Sequence, residues 1–167
     1  MRGRTGMGWG LVIATLFVVS CAPVISDKTM REVSPNVRLD TLLPEPAHYV
    51  GVTVLLGGEI IETQPLPGKT VIMVLERSLG WKGRPEPDGS SSGRFIVWAS
   101  GFLDPAIYRP GRLITVAGRV TGKEERPLGK IRYTYPVIEK KELYLWSVEA
   151  RPPGPRFRLS IGVGKTF

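Results

Sequence analysis

Runs of β-branched and aliphatic residues, separated by short polar or glycine-rich segments, recur along the chain from about residue 47. Five runs stand out: HYVGVTVLLGGEIIET (48–63), KTVIMVLERSL (69–79), GRFIVWASGF (93–102), RLITVAGRVTGKE (112–124) and YTYPVIEKKELYLWSV (133–148). Such runs, bounded by Gly, Pro, Ser and Asp, are typical of strands. None carries an apolar stripe of period 3.6 over three turns, which a helix would need. The pattern therefore predicts an all-β domain.

Two segments of similar sequence pattern favour a barrel. Segments 49–60 and 108–120 both run from a tyrosine through a glycine and an apolar stretch to a second glycine. A glycine inside a strand permits a bulge or sharp bend, as a small closed sheet requires. Between the third and fourth runs, DPAIYRPG (104–111) has room for one or two helical turns, with Asp104 as N-cap. We predict a small OB-like barrel of five to six strands over residues 47–148. An open sandwich of the same strands is the alternative.

Two polar segments flank or interrupt these strands. WKGRPEPDGSSSG (81–93) predicts a mobile loop between the second and third strands. Residues 149–167 form a basic, Pro/Gly-rich tail, which either adds an edge strand over 157–163 or stays loose.

The N-terminus has the pattern of a secretory signal peptide. Arg2 and Arg4 precede an apolar stretch of about twelve residues, and Ser20 and Cys21 follow it. A bilayer-spanning helix needs about 20 apolar residues, so this stretch is too short to span but fits a signal peptide. The alternative is a buried helix of a cytosolic domain. Its terminal position, the paired arginines and the lack of a polar stripe disfavour that alternative, so residues 1–20 are predicted to be removed.

Residues 21–46 show a clear period of neither 2 nor 3.6 and contain four prolines. We predict a flexible tether that lets the barrel stand clear of a membrane, with one short helical or extended piece around 38–43.

The formal net charge of +8 invites a nucleic-acid interpretation. However, the positive residues are spread along the chain without a block of five or six. We therefore predict no specific nucleic-acid partner. The simpler interpretation of this positive charge is attraction to anionic lipid or polymer surfaces.

The sequence offers few residues suited to catalysis. With one cysteine and one histidine, Cys21 and His48, the chain cannot build a usual zinc site of three or four Cys/His ligands. His48, in EPAHYVG, is predicted to be a surface or strand-edge histidine. The lone cysteine has no internal disulfide partner. Three roles stay open for it: a small buried hydrophobic residue, a nucleophile or a point of lipid attachment.

The acidic pairs Glu124–Glu125 and Glu86/Asp88 lie in turn-like segments, where carboxylates are usually solvated. The fragment GVGKT (162–166) lacks the upstream glycine of a phosphate-binding loop. We predict no catalytic residue, no metal site and no enzymatic activity. An enzyme remains the third hypothesis, after two non-catalytic ones.

Basic and aromatic residues interleave around the third and fourth strands. Such residues can form a stacking surface for sugars or bases. The candidate ligand surface comprises Arg94, Trp98, Tyr108, Arg109 and Arg112. The alternative is that the aromatic side chains belong to the core and the arginines to its rim.

The sequence Val18-Val19-Ser20-Cys21 resembles the lipobox of bacterial lipoproteins. That resemblance implies that Cys21 carries a diacylglyceryl group and an N-acyl chain, with no other cofactor, and becomes the first residue of the mature protein. Residue 22 is Ala, where an aspartate would favour retention at the inner membrane, so the resemblance implies sorting to the outer membrane.

After this lipobox, HYVGVTVLLGGEI, GFLDPAIYRPGRLITVAGRV and YTYPVIEKKELYLW resemble, in that order, the Slp family of outer-membrane lipoproteins. The family implies a lipid-anchored envelope protein linked to carbon starvation or stationary phase, without known catalytic residues. We expect it to face the periplasm and to meet other envelope proteins or polysaccharide. An OB module that binds an oligosaccharide or a peptidoglycan fragment is the alternative function.

Overall fold

Five strands close into a barrel in the computed structural model, which describes residues 23–148. They are β1 (Thr53–Leu66), β2 (Lys69–Glu76), β3 (Arg94–Ser100), β4 (Leu113–Leu128) and β5 (Ile131–Leu145). Neighbours follow the order β1-β2-β3-β5-β4, and β4 returns to pair with β1. Only the β3–β5 pair runs parallel among these strands. The predicted all-β, OB-like barrel is confirmed, and the open sandwich is wrong.

The predicted runs and the observed strands differ most at the β4–β5 hairpin. We expected the fourth run to end at Glu124 and the fifth to begin at Tyr133, but pairing continues to Leu128 and Ile131. Gly129 and Lys130 form the two-residue turn, and Gly129 has a φ of 61°. Charged residues along this extension hide its strand character, because they sit on a hairpin that is largely solvent-exposed.

The barrel interior is filled by alternate residues of every strand. Val54, Leu56, Phe95 and Val97 are examples, each 3% exposed or less. Because side chains alternate across a strand, the residues between them point outward. This alternation separates the core from the outer surface on which any binding site must lie.

Two glycines allow the strands to approach closely. A Cβ on Gly58 would lie 2.0 Å from the Leu75 carbonyl oxygen, and one on Gly118 would lie 2.4 Å from that of Glu139. A β-bulge or irregularity follows at Ala117/Gly118 in β4. In the two similar segments, Gly58 and Gly118 are therefore needed for close backbone approach, whereas a Cβ on Gly51 or Gly111 would meet nothing within 4 Å.

The segment that we predicted as a tether packs against the barrel over residues 23–46. It contains two short helices, α1 (Asp27–Met30) and α2 (Leu39–Leu42), and a 3-10 turn, Pro46–Tyr49, joins it to β1. Leu39 and Leu42 are fully buried in the main core. The helix α2 lies where we predicted a short helical piece. The three-residue spacing of the two leucines puts both on one helical face, so both can enter the core. Over residues 23–46 this packing differs from the predicted tether, which would stand clear of a membrane.

Hydrogen bonds fasten the beginning of this segment to β5. The Glu142 carboxylate accepts from the Ser26 amide at 2.8 Å, from the Ser26 hydroxyl at 2.5 Å, and from the Thr29 hydroxyl. These hydrogen bonds lower the pKa of Glu142 from its usual value of about 4.5. Beside them, Lys141 pairs with Glu32 and lowers the pKa of that carboxyl too. We call the Ser26–Thr29–Glu142 contacts the clasp.

The 81–93 segment is held at several points. The Ser92 amide donates to Glu76 Oε2 at 2.8 Å, and Arg77 Nη1 donates to the Gly89 carbonyl at 3.0 Å. A 3-10 turn, Trp81–Gly83, begins it. Between β3 and β4, Asp104 Oδ1 accepts from the Ala106 amide at 2.8 Å, and the Asp104 carbonyl accepts from the Tyr108 amide. Asp104 thus caps a single turn, as predicted.

Several predicted features lie outside the described residues. These are the signal peptide, Cys21 and the tail over 149–167. From residue 23 to 148, no helix is long and apolar enough to cross a membrane.

We expect Gly58→Ala to lower the free energy of unfolding by about 2–3 kcal/mol, because the new methyl group would meet backbone atoms that cannot move aside. Urea unfolding followed by circular dichroism measures this loss. Gly129→Asn is the matched control, since its Cβ would meet nothing within 4 Å and Asn tolerates the left-handed conformation. Equal stability of Gly58→Ala and the parent protein would contradict the close-approach argument.

We expect Glu142→Gln to release the clasp, because a neutral amide replaces the charge that strengthens three hydrogen bonds. Hydrogen exchange of the Met30, Arg31 and Ser34 amides should then accelerate at pH 7. In the parent protein the clasp's contribution should be complete above pH 4.5 and lost as the pH falls through the lower, folded-state pKa.

The matched control for the clasp is Glu139→Gln, which removes a half-exposed carboxylate of the same strand, paired with Arg119 at 2.9 Å. It should leave exchange of residues 30–34 unchanged. If Glu142→Gln and Glu139→Gln gave the same protection, the clasp would not hold this segment.

Candidate ligand-binding site

A half-open cavity of about 350 Å³ lies where β4 begins and β5 ends. Its walls combine two arginines, one tryptophan and one carboxylate with small and apolar groups. They are Glu59, Arg84, Pro87, Gly111, Arg112, Leu113, Trp146, Ser147 and Val148. We call it the Arg–Trp pocket.

Trp146 is fixed by hydrogen bonds at both its ring and its backbone. The indole Nε1 donates to Thr115 Oγ1 at 2.9 Å, and that hydroxyl donates to the Gly83 carbonyl at 2.6 Å. The Trp146 amide donates to the Leu113 carbonyl at 2.9 Å. Tyr144, two residues earlier on the same face, packs edge-on with ring centroids 4.8 Å apart. The indole is therefore held in one orientation before any ligand arrives.

Arg112 links two backbone segments at this pocket. Its Nη2 donates to the Trp146 carbonyl at 2.7 Å, and its Nη1 donates to the Ile107 carbonyl at 3.3 Å. Within residues 23–148, no carboxylate pairs with this guanidinium, and its buried Nε has no hydrogen-bond partner. Carbonyl oxygens orient the group but do not neutralise it, so its positive charge acts on whatever enters the pocket.

Arg84 completes the positive side of the pocket. Its guanidinium carbon lies 5.4 Å from the Trp146 ring centroid, within the range of a cation–π contact. Glu59 is the acidic residue of the wall, and its carboxylate lies 3.7 Å from Arg77 Nη2. Guanidinium groups bind carboxylates and phosphates through paired N–H donors. The indole surface that Arg84 and Tyr144 leave uncovered offers a flat apolar face for a sugar ring. The pocket therefore suits an anionic saccharide.

Two of the predicted surface residues, Arg94 and Trp98, lie on the outer face of β3. Trp98 packs against a second apolar cluster outside the barrel, built around Tyr135 and Ile96. Its Nε1 donates to Glu124 Oε1 at 3.1 Å, and the Lys69 ammonium lies 3.6 Å above its ring. The protein's own side chains therefore already occupy both the polar edge and one face of this indole.

The other three predicted residues lie on or next to the turn before β4. Tyr108 packs against the main core, and its carbonyl accepts from Thr63 Oγ1 at 2.6 Å. Arg109 is exposed, and its carbonyl accepts from the Arg112 amide at 3.3 Å. Of the five predicted residues, only Arg112 lines the Arg–Trp pocket. Whether the five residues form a ligand surface stays a prediction.

Sequence reasoning missed Arg84 and Trp146. The alternation of Tyr144 and Trp146 puts both rings on one strand face, and this was the available signal. Nothing in the spacing of Arg84, which lies in the 81–93 segment, indicates that it meets a tryptophan 62 positions later.

The remaining candidate groups have structural partners. His48 Nδ1 lies 2.5 Å from Glu45, and both side chains are mostly exposed. Glu124 binds Arg126 at 2.6 Å as well as Trp98. In the part of the chain that the structure describes, no three His, Cys, Asp or Glu side chains cluster closely enough to hold a metal ion.

Comparison with known proteins identifies three relatives. An uncharacterized protein of Haemophilus influenzae is 36% identical over 97 residues, which cover 58% of this chain and 52% of that protein. The chain thus matches about half the length of this relative. The lipoprotein YeaY of Escherichia coli is 28% identical over 87% of this chain and 78% of its own length. The outer membrane protein Slp of the same organism is 22% identical over 81% and 73%.

Among solved structures, the small single-stranded DNA-binding protein from Streptomyces coelicolor covers 57% of this chain and 94% of its own, with 13% identity and a TM-score of 0.38.

The model of the outer membrane lipoprotein Slp family matches residues 18–160. This match begins within the lipobox-like sequence and spans the whole barrel. It confirms the resemblance that the lipobox and the GFLDP–YRPGRLITVAG stretch indicated. The chain belongs to the Slp family of outer membrane lipoproteins.

Proposed function

We propose that this protein is anchored in the outer membrane through lipid on Cys21 and has a non-enzymatic, structural or protective role under starvation or stationary-phase stress. The observation that carries the proposal is the extent of the family match, from residue 18 through Cys21 to residue 160. In this proposal residues 1–20 are the removed signal peptide and Cys21 carries diacylglycerol and an N-acyl chain. Residues 149–167 form a basic tail.

The chemistry of the anchor explains its permanence. One acyl chain binds a membrane only marginally, whereas two or more hold stably, at ~0.8 kcal/mol per buried CH₂. Cys21 is separated from Pro23, the first described residue, by one residue. The clasp then ties Ser26 to β5. The barrel is thereby linked to the anchor through a short segment, and we place it on the periplasmic side.

The non-enzymatic role is supported by how the acidic side chains are used. Asp104 caps a turn, Glu124 binds Trp98 and Arg126, and Glu76 accepts from the Ser92 amide. A general acid requires an environment that raises its pKa. Between residues 23 and 148, the two carboxyls with a resolved shift, Glu32 and Glu142, both have lowered pKa values. Other envelope proteins or polysaccharide are the proposed partners, without a specific nucleic acid.

We expect radiolabelled palmitate to enter the parent protein in growing cells and not to enter Cys21→Ser, because a hydroxyl cannot form the thioether. Electrophoresis of immunoprecipitated protein measures the label. Ser20→Ala is the matched control, since it keeps a small residue before Cys21 and should still be labelled. Label in Cys21→Ser, or none in the parent protein, would contradict the anchor.

We propose as a second function that the Arg–Trp pocket binds an anionic oligosaccharide, such as a peptidoglycan fragment. Its support is the convergence of Arg84, Arg112 and a preoriented Trp146 on one cavity of about 350 Å³. Ligand pockets of proteins typically begin at about 300 Å³. Of the five residues predicted to form an arginine and aromatic surface, this pocket uses only Arg112. Its other two proposed binding residues, Arg84 and Trp146, were not among those predicted.

We expect Arg112→Gln to weaken binding of a muropeptide to the detergent-solubilised protein by roughly tenfold to a hundredfold, because a charge-assisted contact is lost. Isothermal titration calorimetry measures the affinity, and circular dichroism checks the fold. Arg119→Gln is the matched control, since Arg119 lies on β4, the strand that follows Arg112, and pairs with Glu139 outside the pocket. Equal affinity of both variants would place the saccharide elsewhere or nowhere.

A further inference from the structure

An apolar groove runs along the outer face of β1, beside the first described residues. Two mainly apolar cavities of about 260 and 410 Å³ make up the groove, and a more polar one of about 350 Å³, lined also by Glu76 and Arg77, adjoins it. Leu55 lines all three. Met30 lines the first two, and Pro35 and Arg38 line the last two. Since Val54 and Leu56 point into the core, Leu55 must point outward. We call this feature the β1 groove.

The first cavity of the groove is almost entirely apolar. Pro23, Val24, Ile25, Met30 and Leu55 supply its hydrocarbon walls. The polar groups that reach it are engaged elsewhere. The Thr115 hydroxyl donates to the Gly83 carbonyl, and the Lys82 ammonium lies 4.2 Å from the Trp81 ring. A ligand that fits these walls is a hydrocarbon chain without hydrogen-bonding groups.

The position of the groove identifies where such a chain can come from. Pro23 lines the first cavity, and Cys21 precedes it by two residues. Two residues span at most about 7 Å of extended chain. An acyl chain attached to Cys21 is therefore within reach of the first cavity.

The rim of the groove fits a position at the membrane surface. Trp81, next to the cavity-lining Lys82, is 81% exposed. Exposed tryptophans favour the headgroup level of a bilayer, and lysines favour its anionic lipids. The same edge of the barrel thus carries the apolar groove, an interfacial aromatic ring and positive charge.

We propose that the β1 groove holds one of the acyl chains carried by Cys21. The inference rests on the lipid anchoring proposed above. Transfer of each methylene from water to apolar walls is favourable, so a chain that lies in the groove instead of the bilayer still keeps its methylenes out of water. The remaining chains stay free to insert in the membrane, and the groove edge of the barrel turns toward the lipid.

The test uses a diazirine-bearing palmitate analogue fed to cells that make the full-length protein. The protein is irradiated in isolated outer membranes, and its crosslinked peptides are mapped by mass spectrometry. We expect crosslinks from the chain on Cys21 to the peptides that carry Met30 and Leu55. Adding ¹⁵N-labelled protein grown without the analogue distinguishes the chain's own groove from that of a second copy.

Leu55→Arg should lower the yield of these crosslinks roughly tenfold, because it puts a charge into the apolar groove. Ile131→Arg is the matched control, since it changes an exposed apolar residue of the β4–β5 hairpin, and it should leave the yield unchanged. The thermal unfolding of both variants shows whether each still folds.

Two failures can be told apart. If the mass of the Cys21 peptide shows no acyl group, the proposed anchoring fails, and this inference fails with it. If Cys21 is acylated but crosslinks reach only lipids, another protein, residues 149–167 or ¹⁵N-labelled copies, the groove proposal alone is overturned. A Leu55→Arg yield equal to that of the parent protein would also overturn it.

Discussion

Closure of the barrel through the β1–β4 pair is the constraint on which the rest of the structure depends. Gly58 pairs with Glu76 of β2 on one side and with Ile114 of β4 on the other. Such double pairing requires strands that bend and approach closely, which the missing side chains of Gly58 and Gly118 permit. Closure pairs β1 with β4 from Leu113 to Arg119 and so removes the open sheet edge there, whereas the β4–β5 hairpin continues beyond both neighbouring strands.

The same closure positions the pocket and the groove. The Gly111 amide donates to the Ile60 carbonyl and the Ile60 amide donates to the Arg112 carbonyl, so the chain enters β4 directly beside β1. This contact fixes Arg112 at the pocket. Along β1 the alternation that sends Val54 and Leu56 inward leaves Leu55 at the centre of the groove. One register therefore determines both surfaces.

The strands and their barrel arrangement could be predicted because β-branched runs and strand glycines are local signals. The packing of residues 23–46 could not be predicted. Leu39 and Leu42 span a single helical turn, which is too short to show the 3.6-residue period of a helix. The Arg–Trp pocket was also out of reach, because Arg84 and Trp146 meet only through tertiary structure. Trp98 is a residue type that binding surfaces favour. Once the hairpin folds over β3, however, Trp98 packs against the cluster around Tyr135 and its indole donates a hydrogen bond to Glu124.

The clasp limits how far the barrel can travel from its proposed anchor. Only residues 22–25 lie between Cys21 and Ser26, a contour length of about 18 Å when fully extended. With lipid on Cys21, the barrel would sweep a thin shell at the bilayer surface instead of a wide volume of the periplasm. Short connections raise the effective concentration of what lies within their span and exclude what lies beyond it. Partners embedded in the membrane would then be met constantly, and distant ones would have to come to the surface themselves.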